Sequence, residues 1–240
     1  MKSPSNKEGL IQTSNRLVCL ICLQCTDRSG NVKPMETKKS PPPERRSARE
    51  RLLAAADELF YEGGINTVGI ERVIERAGVA KASLYDCFGS KEELIRAYLQ
   101  SRQEARKLRL TSKLAAYETP RDRLLGVFDA MGELMAAPNF RGCAFNRAAS
   151  ESKSGSAIKS TCDEARGWMK DLFTGLAKDA GAADPENLAR QLVLLYDGAS
   201  VSGQLEFGSG AAATARAIAA HMLDAAMPSP KGKAAVDSTA

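Results

Sequence analysis

Apolar residues recur at three- and four-residue spacing along most of this chain, from about residue 46 to residue 227. This is the period of an amphipathic helix, and no stretch of comparable length alternates with the two-residue period of a strand. A polar residue followed by proline marks two helix starts, at Thr119-Pro120 and Asp184-Pro185. The pattern therefore predicts an all-α fold.

Two short helices separated by a tight turn are predicted between residues 70 and 88. In the first, IERVIERA, the apolar residues fall at i, i+3, i+4 and i+7 on one face. Gly78 then ends the helix, because glycine tolerates the left-handed conformation that closes a helix C-terminus. The segment Ala80 to Phe88 supplies the second helix, with Leu84 among its inward positions.

A capping box marks the start of the next helix, because Ser90 lies three residues before Glu93. Two helices at a glycine turn, followed by a capped third, form the layout of a helix-turn-helix, whose second helix enters the major groove of DNA. Taken alone, the turn also fits an ordinary helical hairpin. Lys81, Ser83 and Tyr85 are outward positions that can contact base edges or phosphates.

The residues AGVAKASLYDCFGSKEEL, preceded by RLLAAADELFYEGGINTVGIERVI, resemble the DNA-binding domain of the TetR (tetracycline-repressor) family of bacterial regulators. The resemblance covers roughly residues 45 to 99 and implies DNA contacts from Lys81, Ser83, Tyr85 and Lys91. Basic residues before helix one and the outward positions of the second short helix extend this set. The candidate DNA-contacting residues are Arg46, Thr67, Lys81, Ala82, Ser83, Tyr85, Asp86 and Lys91.

Two departures from the family pattern concern the operator sequence. The position before the second helix, where the family usually has a threonine, holds Val68, with Thr67 one place earlier. Asp86 and Cys87 stand where histidine or aromatic residues often follow the tyrosine. These differences leave the expectation of DNA binding intact but change the groups available for reading bases.

Helices continue beyond residue 100, and the charged stretch Arg102 to Arg109 suits an exposed connector between two domains. If the region after it follows the family, it encloses a ligand cavity and ends in two helices that form a four-helix dimer interface. The small residues between Gly198 and Gly203 would allow close approach, with packing inside one subunit as the alternative. The candidate pocket residues are Phe128, Met131, Met135, Phe145, Trp168, Met169 and Tyr196. The candidate interface residues are Leu192, Leu195, Ala199, Gly203, Ile218 and Met222.

The first 44 residues are rich in Ser, Asn, Lys and Pro and are expected to be a disordered extension, with Met35 as an alternative start. Cys19, Cys22 and Cys25 have the spacing of metal ligands but lack a fourth ligand, so no metal and no cofactor are expected. The resulting organisation is an extension (1–44), a three-helix helix-turn-helix domain (45–91), a helical ligand-binding and dimerisation domain (92–227) and a disordered tail (228–240).

Charge and motifs decide between classes of function. The net charge is +5, yet residues 44–91 carry eight basic and eight acidic side chains, so the basic excess lies mainly in the arm before helix one. His221 is the only histidine, and no nucleophile elbow, phosphate loop or paired histidines are present, so an enzyme is not expected. Cys87 and Cys143 are expected to be inert.

These features predict a cytoplasmic transcriptional regulator without a membrane partner. Its expected partners are double-stranded palindromic operator DNA, an unknown small-molecule effector and a second copy of itself. The interpretation is a homodimeric repressor released by its effector, although an activator shares this DNA module. The alternative is a helical ligand sensor that has lost operator binding.

Overall fold

The computed structural model describes residues 46–206 and 210–227, and this part of the chain contains nine α-helices and no strand. The predicted all-α class is therefore confirmed. The expected extension, tail and cysteine cluster at residues 19–25 lie outside the described residues. The helices are α1 (Ala48–Gly63), α2 (Ile70–Ala77), α3 (Lys81–Phe88), α4 (Lys91–Leu114), α5 (Pro120–Met135), α6 (Ala144–Glu151), α7 (Ala157–Asp179), α8 (Pro185–Glu206) and α9 (Gly210–Ala226).

Helix α1 begins two residues later than its apolar pattern predicts, because Ser47 caps it. The Glu50 backbone N–H donates to Ser47 Oγ at 3.2 Å, and the Ser47 backbone N–H donates to Glu50 Oε2 at 2.7 Å. This reciprocal capping box satisfies two backbone donors. It also lowers the pKa of Glu50, chiefly through the hydrogen bond from the Ser47 backbone.

The predicted turn between α2 and α3 is present and has the hydrogen bonds of a Schellman motif. Gly78 has a φ of 61°, its N–H donates to Glu75 O at 3.1 Å, and the Val79 N–H donates to Ile74 O at 3.3 Å. Arg51 of α1 closes the same helix end, because its guanidinium donates to Gly78 O at 3.0 Å. The turn is thereby fixed both by its own sequence and by a neighbouring helix.

Two hydrophobic clusters make up the core, and α4 contributes to both of them. The first half of α4 packs with α1–α3, and that cluster continues into α6 and α7 through residues such as Phe145 and Ala165. The second half packs with α5 and α7–α9 through Leu110 and Leu114. Because one continuous helix joins the two clusters, a change at one end can be transmitted as a shift of that helix.

The second half of α4 is less exposed than its charge predicts. Gln103 and Arg106 are both 9% exposed, Leu110 is 1% exposed, and Leu108 on the other face is 71% exposed. The expectation of an exposed charged connector over residues 102–109 is therefore wrong for the inner face of this helix. The buried residues continue the stripe of Leu99 at spacings of four and three.

The remaining helices form a bundle around a cluster of aromatic rings. Phe128 of α5, Phe173 of α7 and Tyr196 of α8 have ring centroids 5.9–6.3 Å apart. The periodicity places Leu172 inward on α7, but Phe173 is the fully buried residue and Leu172 is half-buried. Among the described residues, no helix has the length and apolar character needed to cross a bilayer.

Candidate nucleic-acid interface and effector cavity

Helix α3 presents a polar face to solvent and an apolar face to the core. Leu84 is fully buried and Phe88 nearly so, whereas Tyr85 is 45% exposed. Lys81, Ala82 and Asp86 are exposed, and Ser83 is half-buried. The pattern of inward positions thus leaves one surface of a short helix free to enter a groove. Ala82, a candidate DNA contact, lies on that outer surface.

Two basic side chains near α3 are paired with acidic residues of the same chain. Lys81 Nζ lies 3.3 Å from Glu71 Oε1, and Arg76 Nη2 lies 2.7 Å from Glu58 Oε1. All four side chains are at least half exposed, and surface pairs of this kind are weak. A phosphate can therefore replace the carboxylate at little cost.

The other candidate DNA contacts lie around the first three helices. Arg46 is exposed just before α1, Thr67 is exposed before α2, and Lys91 is half-buried at the first residue of α4. Val68 is 1% exposed and belongs to the hydrophobic cluster of α1–α4, so its side chain offers no polar group to DNA. Thr67 is thus the hydroxyl available at this edge of the module.

A cavity with two lobes lies between α4, α6, α7 and α8, with part of α5 at one end. The first lobe, about 140 Å³, reaches Met169 and Phe173, and the second, about 90 Å³, reaches Met131 and Met135. Both lobes are lined by Arg106, Cys143, Phe145 and Tyr196. Because these residues line both lobes, the two lobes are adjacent, and Arg106 belongs to both.

The structure brings together most of the pocket residues expected from the sequence. Met131, Met135, Phe145, Met169 and Tyr196 each line at least one lobe. Two others do not line either lobe. Phe128 is 1% exposed and packs within the aromatic cluster. Trp168 faces a separate surface hollow beside Gln103 and Glu104.

Sequence reasoning missed the two arginines of this cavity. Arg106 lines both lobes and Arg109 lines the second. The Arg106 guanidinium lies 4.4 Å from the ring centre of Phe145 and 5.7 Å from that of Trp168. One Nη2–H group donates to Ala165 O at 2.7 Å, and the same nitrogen contacts Gln103 Oε1. The signal was available, because residues 99, 103, 106 and 110 continue one helical stripe.

Tyr61 of α1 lines the second lobe and so connects the DNA-binding module to the cavity. Its hydroxyl donates to Gly142 O at 3.1 Å, and the Arg147 guanidinium donates to Tyr61 O at 2.6 Å. Arg102 stacks over the Tyr61 ring at 3.7 Å and pairs with Asp57 at 2.7 Å. Helices α1, α4 and α6 therefore meet directly beside the cavity.

A second set of hydrogen bonds joins the loop after α1 to the end of α6. The Asn66 backbone N–H donates to Glu151 Oε2 at 2.9 Å, and its side-chain amide donates to Glu151 O at 2.7 Å. Gly64, with a φ of 87°, lies beside the same carboxylate. Because α6 also lines the cavity, a change in the cavity can reach the DNA-binding module through this helix as well as through α4.

The cysteines near the cavity are poor nucleophiles. Burial raises the pKa of the Cys143 thiol, and it raises that of Cys162 to about 11. Both groups therefore remain protonated thiols at neutral pH, while the thiolate is the reactive form. Among the described residues, no group of three His, Cys, Asp or Glu side chains is placed to hold a metal ion.

Helix α8 carries two stripes two residues apart, which therefore face nearly opposite directions. Residues 192, 196, 199 and 203 face the subunit interior: Leu192 is fully buried, and a Cβ on Gly203 would lie 2.6 Å from Met135 Sδ. Residues 194, 198, 201 and 205 face outward, with Leu194 72% and Leu205 73% exposed. Leu192 and Gly203, both expected at the dimer interface, therefore lie on the inner face of α8, where they pack within this chain.

The outer face of α8 continues as a groove shared with α9. The groove is about 380 Å³ and includes Leu195, Ala199 and Ile218, three of the residues expected at the interface. Ala199 nevertheless lies mostly inside, at 7% exposed, and Met222 is half-buried against the subunit core. Leu194, which the sequence analysis did not select, is the most exposed apolar residue of the groove.

These features define a class of protein: a helix-turn-helix DNA-binding protein with an attached bundle of helices. A sequence model described as bacterial regulatory proteins of the tetR family matches residues 52–98. The crystal structure of SCO4454, a TetR-family transcriptional regulator from Streptomyces coelicolor, is similar with a TM-score of 0.71 and 31% identity, over 75% of this chain and 96% of that one. The chain belongs to the TetR family of transcriptional regulators.

Curated relatives match over about a third of this chain. The transcriptional activator FasR of Mycolicibacterium smegmatis is 38% identical over 74 residues, 31% of this chain and 29% of that protein. The transcriptional repressor NemR of Escherichia coli K12 is 36% identical over 81 residues, 33% of this chain and 41% of that protein. The matches thus span less than half the length of these relatives, and they include both an activator and a repressor.

Proposed function

We propose that this protein is a homodimeric repressor that binds a palindromic operator and releases it when a small molecule enters the two-lobed cavity. The observation that carries the proposal is the direct contact between that cavity and the DNA-binding module through Tyr61. The domain division expected from the sequence fits this mechanism with one change. Helix α4 belongs to both parts and is the element through which they are coupled.

The outward stripe of α8 supports the dimer. Leu194, Val201 and Leu205 are 49–73% exposed, and such a contiguous apolar stripe beside a groove is typical of a protein interface. Because a two-fold axis relates two identical recognition helices, the dimer reads two half-sites of a palindrome. The domain that dimerises therefore sets the distance between the two α3 helices.

The effector acts by binding one conformation better than the other. A molecule in the second lobe contacts Gly142 and Arg102, and both of these contact Tyr61 of α1. If occupancy shifts α4 or α6, the spacing of the two recognition helices changes and the affinity for the operator falls. The coupling is reciprocal, so operator DNA weakens effector binding by the same factor.

The first experiment is a mobility-shift assay with DNA from the region upstream of the protein's own gene, against a scrambled competitor at stated salt. The proposal expects a specific complex with two subunits per site. Loss of DNA binding in the Tyr85→Ala variant would assign the DNA contact to α3. A folded dimer that binds no specific DNA from a genomic library contradicts the proposal and favours a sensor without an operator.

The sign of regulation needs a transcription readout. A repressor is expected to lower transcription from a reporter that carries its operator, and deletion of the gene is expected to raise it. An activator gives the opposite result with the same mobility shift. FasR and NemR show that both signs occur among similar proteins.

The dimer is tested by charge placed on the exposed stripe. Leu194→Glu and Leu205→Glu are expected to give monomers in sedimentation velocity and to lose operator binding, because a carboxylate would be buried between subunits. Leu108→Glu is the matched control, since Leu108 is 71% exposed on α4. Dimers that persist in both α8 variants would contradict this interface.

A further inference from the structure

The cavity contains a positive charge, that of Arg106, which forms no ion pair with the described residues. Arg106 is 9% exposed, yet among the described residues no carboxylate lies within ion-pair distance of its guanidinium. Its Nε atom is buried and has no hydrogen-bond partner in the described part of the chain. A buried cation without a counter-ion is unfavourable by several kcal/mol in typical proteins. The residue is therefore poorly explained by stability alone.

Arg109 adds a second charge one helical turn away. It lines the second lobe beside Arg106, and its Nε is also buried without a partner among the described residues. Burial lowers the pKa of Arg106, and Arg109 lowers it further by like-charge repulsion. Guanidinium groups nevertheless remain charged in proteins. The two side chains thus create a site that attracts one anion.

The other charged groups around the cavity already have partners. In the first lobe Lys159 pairs with Asp163, and Arg166 pairs with Asp197. In the second lobe Arg102 pairs with Asp57. Because these pairs balance one another, the net charge that faces the cavity comes from Arg106 and Arg109.

Apolar and aromatic side chains also form part of the wall around this charge. Phe145, Met169 and Phe173 line the first lobe, whose volume of about 140 Å³ is close to the roughly 150 Å³ that accommodates benzene in a known engineered cavity. Tyr196 lines both lobes. The pKa of Tyr196 is raised, chiefly by burial, so its hydroxyl stays protonated and can donate a hydrogen bond.

We infer that the effector is a small aromatic carboxylate, whose ring occupies the first lobe and whose carboxylate pairs with Arg106 and accepts from Tyr196. A planar carboxylate matches the two-pronged donor geometry of a guanidinium better than a neutral group does. This inference rests on the proposed effector-controlled function and names the chemical class of its ligand. Arg109, which lines the second lobe, contributes longer-range attraction.

Benzoate, with benzamide as its neutral counterpart of nearly equal shape, tests the inference by calorimetry on the DNA-free protein. Wild-type protein is expected to bind benzoate roughly ten- to hundredfold more tightly than benzamide, the range for a buried hydrogen bond to a charged group. Arg106→Gln is expected to remove that difference, and Arg109→Gln to reduce it by a smaller factor. Lys170→Gln, an exposed change on α7, is the control and should match wild type.

Trp168 supplies an independent readout of where the anion binds. It is the single tryptophan of the chain and lies 5.7 Å from the Arg106 guanidinium. Benzoate is expected to change its emission in wild-type protein and in Lys170→Gln, but not in Arg106→Gln. Circular dichroism checks that each variant is folded. If Arg106→Gln is not folded, Arg109→Gln and the ratio of benzoate to benzamide affinity in the wild-type protein still test the inference.

Equal affinities for benzoate and benzamide, no saturable benzoate binding, or unchanged binding in folded Arg106→Gln would each overturn the inference. These results do not depend on DNA. Benzoate binding through Arg106 without release of a bound operator supports the site and contradicts effector release. Absence of operator binding contradicts the proposed function and leaves the calorimetric result standing.

Discussion

The DNA-binding module and the effector cavity contain the same kinds of basic residue in opposite electrostatic settings. Around α3, Lys81 and Arg76 are more than half exposed, and each has a carboxylate partner. In the cavity, Arg106 is buried and has no such partner among the described residues. Water screens an exposed charge but not a buried one, so only the buried arginine requires a counter-ion.

This contrast fits two different kinds of ligand. A DNA phosphate displaces a weak surface pair, and many such contacts together give affinity that depends strongly on salt. A small molecule has room for one or two polar contacts, so each must be strong and desolvated. The surface of α3 is therefore suited to a polyanion, and the cavity is suited to a single enclosed anion.

The largest effect is expected from a substitution that tests whether the two hydrophobic clusters are independent of each other. Leu84→Ala removes a fully buried side chain from α3 and is expected to lower the free energy of unfolding by about 3 kcal/mol. Operator binding should be lost, while Trp168 emission stays as in wild type because that residue packs at the other cluster. Leu108→Ala, at an exposed site, should change stability by less than about 0.5 kcal/mol. A large Trp168 change in Leu84→Ala would show that the clusters are not independent.

The charge contrast itself is tested by two methionine substitutions on α4. Arg106→Met removes an uncompensated buried charge and is expected to raise the free energy of unfolding by about 1–3 kcal/mol without ligand. Arg102→Met breaks the pair with Asp57, whose side chain is 45% exposed, and is expected to lower it by about 1 kcal/mol. Urea unfolding measures both. Destabilisation of equal size in the two variants would remove the distinction between paired and unpaired arginines.

Substitutions on α3, the proposed recognition helix, are expected to have a smaller and salt-dependent effect on operator affinity. Lys81→Ala is expected to reduce the slope of log affinity against log salt by about 0.9, the value for one phosphate contact. Tyr85→Ala should weaken binding broadly, by about 1 kcal/mol for one hydrogen bond. Lys170→Ala, on α7, is the control for a lost surface charge. If neither α3 variant differs from wild type across a salt titration, this helix is not the reader.

The smallest effect concerns the start of α1. Ser47→Ala removes the cap and is expected to lower stability by about 1 kcal/mol at neutral pH. The pKa of Glu50 is below its ordinary value of 4.5 in the folded state, so the capping box stabilises the fold above that pH. The contribution is lost as pH falls further through the folded pKa, and the two proteins should converge there. Ser101→Ala, exposed within α4, should show no such pH dependence.

The predicted elements match the structure closely where capping and turn signals are local. The α2–α3 turn depends on Gly78, and the starts of α4 and α5 depend on Ser90 and Thr119. Each signal acts within a few residues, so the neighbouring sequence is sufficient to place it. The helical period begins at about residue 46, but α1 starts at Ala48 because the capping box at Ser47 determines its first residue.

The sites were less predictable, since the direction of a side chain depends on its neighbours in space. The stripe of α8 that contains Leu192 and Gly203 consists of apolar and small residues, as its outward stripe does, and packing such as that of Gly203 against Met135 shows which one is internal. Likewise, Arg51 is one of several basic residues near the start of α1, and only the structure shows that its guanidinium closes the α2 helix end.

The sequence alone determined that this is an all-helical protein with a helix-turn-helix module, because helical period, caps and glycine turns are local properties of the chain. Only the tertiary structure decided that Arg106 lies inside a cavity and that Tyr61 joins that cavity to the DNA-binding module. Burial and pairing of a charge depend on groups far apart in sequence, such as Arg106, Ala165 and Tyr196. Those distances exist only once the helices are packed.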